Sequence, residues 1–238
     1  DYSAFAAGLD RFVRLDKPSG IQDISGNNRH FVSAATIGGT GDSPDSSAGP
    51  LSFEHFQDIE PGYAGYVNAV TATSLQLNDA ALVSTGDVTL MCVLKVPGSS
   101  PLEQQFVMHG AGHTWGLHLV RSPTNSYFWR PYFFFRKTGG GVVSQTFDGA
   151  VLMGQVMLII VRREGSTLKC NVNKRTITTL PIVETVQSDG DTKTYLGFNY
   201  PNVNAAPTFG EVGLAMRAFS DEEVDTLAAE ICGEDFPR

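Results

Sequence analysis

Two stretches of the sequence place aromatic rings beside amides and a cation in turn-like surroundings. Ser122-Pro-Thr-Asn-Ser-Tyr-Phe-Trp-Arg-Pro131 carries Asn125, Tyr127, Trp129 and Arg130; Asn199-Tyr-Pro-Asn-Val-Asn204 carries Asn199, Tyr200 and Asn202. Sugars lay their apolar faces on exposed rings while amides and charged groups take the hydroxyls, so both stretches have the composition of a shallow polar binding site. The expectation rests on the pair of loops rather than on one side chain, since ordinary turn residues would look much the same. Trp115 is a weaker candidate, because it shares strand parity with Leu117 and Leu119 and reads as core. His109, His113 and His118 invite a zinc reading. They are not expected to converge: the first two flank Gly-Ala-Gly, and His118 alternates with Trp115, Leu117 and Leu119 and so points to the other face.

Three cysteines, Cys92, Cys170 and Cys232, are widely spaced, and no Cys-x-x-Cys pair exists for a zinc knuckle. Cys92 alternates with Leu90 and Leu94, and Cys170 with Leu168 and Val172, so both are expected as buried free thiols. Unpaired thiols suit synthesis in a reducing compartment. The chain begins at Asp1 with neither Met nor signal peptide, which is expected of a mature product or an excised piece.

The elements that must position these residues are strands. Val88, Leu90, Cys92, Leu94 and Val96 fall on one face, and Thr89, Met91, Val93 and Lys95 on the other. Further strands are expected at 12–15, 31–33, 51–56, 63–67, 74–77, 105–109, 115–120, 132–136, 142–147, 168–172, 177–180, 195–198 and 212–216. Met157 to Arg162 is apolar on both faces and should be central, joined to Leu168–Val172 through a compact turn at Arg163-Glu-Gly-Ser166. One helix is predicted: Ser220-Asp-Glu-Glu223 is a capping box, and Val224, Leu227, Ala228 and Ile231 follow at helical spacing.

Composition agrees. Of 238 residues, 42% are hydrophobic and only 18% charged, with 25 Gly, 12 Pro and 15 Phe, which favours turns and strands and excludes intrinsic disorder. A net charge of −8 with no basic run argues against a nucleic-acid partner. The longest apolar run, Val156 to Val161, is too short for membrane insertion. No composition shift marks a boundary, so a single domain over 1–238 is expected, its core spanning about residues 9–231.

Three segments together resemble the concanavalin A-like lectin/glucanase superfamily in its laminin-G-like branch. They are the turn Asp23-Ile-Ser-Gly-Asn-Asn-Arg-His30, the hairpin region Gly154 to Thr179, and the closing strand and helix Phe209-Gly-Glu-Val-Gly-Leu-Ala-Met-Arg-Ala-Phe-Ser-Asp-Glu-Glu-Val224. The last is the most specific. The sequence departs from the family at Gly213, where an aspartate is usual, and at Val156 or Met157, where a tryptophan is usual. The resemblance implies an all-β, two-sheet antiparallel jelly-roll sandwich with one short C-terminal helix. It also implies a structural calcium between first turn and closing strand, for which Asp23, the Gly26 carbonyl and Glu211 are the available oxygens; no other cofactor is required.

Some relatives cleave polysaccharides, so fold alone does not assign function. The laminarinase-type Glu-x-Asp-x-x-Glu strand has only Glu223-Val-Asp225-Thr-Leu-Ala228 as a near match, and this lacks the final acid and falls on the predicted helix. The alginate-lyase pattern fails too: Arg162-Arg-Glu164-Gly-Ser166 lacks its last arginine and reads as a turn, and Phe134 to Gln145 lacks the second Tyr. The expected function is a non-catalytic binding or adhesion module that recognises a glycan or cell-surface ligand through rim loops. Free thiols, absent signal peptide and acidic charge add a context, a phage virion component such as a fibre or capsid decoration, placed at the virion surface or outside the cell with other subunits as partners. A purely structural assembly protein and a divergent polysaccharide lyase or glycoside hydrolase are the alternatives.

Overall fold

The computed structural model describes residues 11–14, 32–33, 51–55, 64–68, 75–78, 86–95, 104–110, 115–125, 127–147, 151–152, 155–173, 175–182, 193–196 and 208–232. Two antiparallel sheets account for nearly all of them. The first runs β14 (Arg175–Pro181), β13 (Thr167–Val172), β12 (Val156–Glu164), β6 (Val88–Lys95), β16 (Thr208–Ala215), β4 (Ala64–Asn68) and β3 (Leu51–His55), with β1 (Arg11–Arg14) also on β16. The second runs β10 (Val142–Thr146), β9 (Phe128–Arg136), β8 (Trp115–Arg121), β7 (Gln104–Gly110), β15 (Lys193–Leu196), β5 (Leu75–Asn78) and β2 (Val32–Ser33), with β11 (Val151–Leu152) on β9. A helix, α1 (Asp221–Cys232), follows β16.

Alternation decides what each sheet buries. Val88, Leu90, Cys92 and Leu94 of β6, with Met157, Ile159 and Val161 of β12, face Trp115, Leu117, Leu119, Trp129, Phe133 and Phe135 of the second sheet in one apolar core. This is the sandwich arrangement, with two inner faces interdigitating. In the first sheet Phe12 lies opposite Gly213 and Val13 opposite Val212, so β1 closes against β16, the first and last of the described strands.

The two-sided character of β12 has a specific cause. It lies between β13 and β6, and its residues Leu158, Ile160 and Arg162 are buried on the face away from the main core. That face is roofed by α1, which packs against β12 and buries Val224, Leu227 and Ala228. The capping box forms as the sequence predicts: Ser220 Oγ accepts from the Glu223 amide at 3.1 Å, and Glu223 Oε2 accepts from the Ser220 amide at 2.8 Å. The β12–β13 turn is tight because Gly165 adopts φ 54°, a left-handed conformation that costs glycine little.

Two expectations need correction. Arg162 to Glu164 stand on β12 rather than in the turn, which is confined to Gly165 and Ser166. Strand β9 also begins at Phe128, four residues before the expected start at Tyr132, so Trp129 and Arg130 are strand residues rather than loop. Pro131 made the segment read as a turn. In the fold it lies opposite the break between β10, which ends at Thr146↔Tyr132, and β11, which begins at Val151↔Trp129. There its carbonyl accepts from the Phe147 amide at 2.8 Å, and having no N–H it returns no bond, so the paired run of β10 stops at Thr146.

Candidate functional site

The first candidate loop is a short rim turn between β8 and β9. Its base closes where the Ser122 amide donates to the Phe128 carbonyl at 2.9 Å, and the Phe128 amide donates to the Asn125 carbonyl at 3.2 Å. Asn125 then uses its side chain locally: Oδ1 accepts from the Tyr127 amide at 3.0 Å, an Asx turn that fixes the backbone carrying the ring. Ser122 Oγ and Thr124 Oγ1 lie 3.1 Å apart, tightening the first half of the turn. The consequence is Tyr127, 71% exposed on a hydrogen-bonded turn, one of two large exposed hydrophobics among the described residues.

The remaining residues of this loop separate. Trp129 is fully buried in the main core, because it shares the inward parity of Phe133 and Phe135. A ring with no accessible face cannot stack a ligand, so the expectation for Trp129 as a binding platform is overturned. The Arg121 guanidinium lies 5.5 Å from the centre of its ring at the rim. Arg130, half-buried, has the opposite parity and shares the outward face of β9 with Tyr132 and Phe134. It follows Tyr127 by about 10 Å along an extended chain. The fold therefore brings Asn125 and Tyr127 together, sets Arg130 on the adjacent sheet face, and withdraws Trp129.

Asn199, Tyr200 and Asn202 lie outside the described residues. The same holds for Asp23 and Gly26 of the calcium expectation. Glu211 is on β16, where its register partner is Arg14 of β1. Among the described residues no group of three His, Cys, Asp or Glu could hold a metal ion. His118 is buried on the outward face of β8, edge-on to Phe134 with ring centres 4.7 Å apart and tilted against Tyr132 at 5.9 Å. Trp115 is buried in the main core, and Cys92 and Cys170 are buried free thiols whose pKa values are pushed up by burial.

The sequence reading missed the seat of α1. Arg162, 1% exposed, donates from Nη1 to the Phe219 carbonyl and from Nη2 to Asp221 Oδ1, both at 2.7 Å, and reaches Asn171 Oδ1 at 3.4 Å. Thr89 Oγ1 donates to the Arg217 carbonyl at 2.8 Å and accepts from the Phe219 amide at 2.9 Å. Hydrogen bonds from Arg162, and then from Lys169, hold the Asp221 carboxyl below its usual range. Glu223 is drawn down to about 2 by its two hydrogen bonds from Arg217, with the Ser220 amide adding to the effect. An arginine near the end of an apolar strand was the available signal; its partners Phe219 and Asp221 lie 57 and 59 positions away.

Compared with known proteins, the sequence matches no family model and no curated protein. Solved structures do resemble it. Domain 4 of AbnA, a GH43 extracellular arabinanase from Geobacillus stearothermophilus, in complex with arabinotriose, superposes with a TM-score of 0.66 at 15% identity, covering 92% of this chain and 98% of that domain. The likeness is one of fold. The binding domain of Paraclostridial Mosquitocidal Protein 1 gives a TM-score of 0.66 at 11% identity over 93% of this chain and 52% of that one. A structure of botulinum neurotoxin type C, whose cell entry is described as dependent on two ganglioside molecules, gives 0.64 at 9% identity over 97% and 53%. The chain thus spans about half the length of the two toxin chains.

Proposed function

We propose that this chain is a non-catalytic binding module that recognises a glycan through the rim turn 122–127, with Tyr127 as the stacking ring and Arg130 as a flanking cation. The observation that carries the reading is Tyr127: a large ring left 71% exposed on a backbone that Asn125 holds in place. Leaving such a ring in water forgoes the burial that core aromatics obtain, and an ordered turn beneath it lowers the entropy cost of binding. The likeness to a domain solved with arabinotriose and to a ganglioside-dependent toxin supports carbohydrate as the ligand class. The resemblance of Phe209 to Val224 to the laminin-G-like closing strand and helix supports a concanavalin A-like jelly roll within the same reading.

The buried free thiols Cys92 and Cys170 favour manufacture in a reducing cytoplasm. With the acidic charge of −8 they support use as part of a phage virion, a fibre or capsid decoration displayed outside the cell. A glycan array probed with the whole chain tests the ligand class, with arabinan and ganglioside oligosaccharides as the first probes. Saturable binding to at least one glycan, weakened about ten-fold by Tyr127→Ala, is the expected result. Release of oligosaccharide from β-glucan, alginate or carrageenan, abolished by a single Glu or Asp substitution, would overturn the non-catalytic reading.

A further inference from the structure

The free strand edges of the two sheets are not treated alike. In the first sheet β3 carries Glu54 and His55, β1 carries Arg11 and Arg14, and β14 carries Arg175, Pro181 and a register shift against β13 at Cys170/Asn171. In the second sheet β2 and β11 are two residues each. Charge, proline, irregularity and shortness are the devices by which folded proteins keep strand edges from pairing with other chains. β10 has none of them: Val142-Val-Ser-Gln-Thr146 is uncharged, regularly registered on β9 over all five residues, and exposed at Val142 (53%) and Ser144.

The direction of its free groups follows from the ladder. The Phe147 amide donates towards β9, to the Pro131 carbonyl, so by alternation residues 143 and 145 also bond inward and Val142, Ser144 and Thr146 direct N–H and C=O groups outward. We propose that β10 is an assembly edge whose partner is β10 of a second copy of this chain, paired antiparallel about a two-fold axis at Ser144. That register sets Ser144 against its own copy and each Val142 against the partner's Thr146, pairing β-branched side chains on one face and making about six new backbone hydrogen bonds. It is an isologous contact that closes at two chains. The nearest fixed cation, Arg136, lies opposite Val142 on β9. Strand spacing and rise put its Cα about 20 Å from its symmetry copy, beyond the Debye length of about 8 Å at physiological salt. Beside this edge the tip glycines 139, 140 and 141 are left-handed, and the one tip side chain against them is that of Lys137, which lies over Gly141.

The contact is small, so the association is expected to be weak, with a Kd on the order of 100 μM. Sedimentation of the whole chain without glycan, at up to about 500 μM, reads it directly. The unmodified chain should show a concentration-dependent dimer. Ser144→Lys and Ser144→Glu should each weaken association at least ten-fold, because the two-fold places like charges opposite each other, and their equimolar mixture should restore a dimer. Hydrogen exchange at Val142, Ser144 and Thr146 should slow as the unmodified chain is concentrated. A chain that stays monomeric throughout, variants that dimerise as the parent does, or a mixture that fails to recover would each overturn the proposal.

Discussion

The seat of α1 and the rim turn are both built from polar residues on apolar frames, yet they use those residues in opposite ways. At the seat nearly every polar group is spent on another part of the same chain. Arg162 holds the Phe219 carbonyl and Asp221, Thr89 bridges Arg217 and Phe219, and Arg217 pairs with Glu223 through two bonds of 2.7 and 2.9 Å. At the rim, Ser122, Thr124 and Asn125 are spent on the turn, and what they hold in place, Tyr127, is left facing water. Internally satisfied polarity closes a structure, whereas a fixed but unsatisfied aromatic leaves a surface for something else. The charged residues of the seat are therefore no guide to a binding surface, whereas an exposed ring on the rim is.

Substitutions break this contrast in a definite order of stability effect. Trp129→Ala empties a fully buried core position at the end of the rim loop and should cost about 3–5 kcal/mol in denaturant unfolding. Arg162→Ala takes the guanidinium donors from the Phe219 carbonyl and from Asn171 Oδ1 in a buried setting and should cost about 2–3 kcal/mol by the same measurement. Most of that loss comes from the buried end of Arg162, because Asp221 is 70% exposed and its ion pair is screened by solvent. If Arg162→Ala were silent, the helix seat would have no structural claim on this residue. Ser220→Ala removes one half of the capping box and should cost about 1 kcal/mol, seen as a lower urea midpoint.

Acid gives a smaller and independent reading of the seat. Glu223 and Asp221 both have depressed carboxyl pKa values in the folded chain, so their contribution is fully present above about pH 4.5 and lost as pH falls towards about 2. Both groups are substantially exposed, so the loss should stay below about 1 kcal/mol. It should shrink in Arg217→Ala, whose removal takes away the main cause of the Glu223 shift; equal acid sensitivity in that variant would show that another group is responsible.

Much of this architecture is legible from local pattern. The parity of Val88 to Leu94 sets the buried face of β6, the two-sided run at 157–162 marks the central strand beneath the helix, and Ser220 with Glu223 announces the cap. The site is legible only in part, and β9 shows why. Tyr127, Trp129 and Arg130 look alike as members of a Pro-bounded polar loop, but strand parity sends Trp129 inward and Arg130 outward. That parity depends on where the strand starts, and the start depends on Pro131 lying opposite a gap between β10 and β11, a tertiary fact absent from local sequence. The role of Arg162 is hidden for a related reason, since its partners are brought to it only by the turn from β16 into α1.

The central claim is that recognition belongs to the rim and not to the polar seat. Titration calorimetry with a glycan identified on the array compares Tyr127→Ala with Ser220→Ala, both at a temperature where each variant is folded. Tyr127→Ala should lose about ten-fold in affinity, or 1–2 kcal/mol, with its melting temperature unchanged, while Ser220→Ala should bind as the parent does despite melting earlier. Undiminished binding by a folded Tyr127→Ala protein would contradict the account.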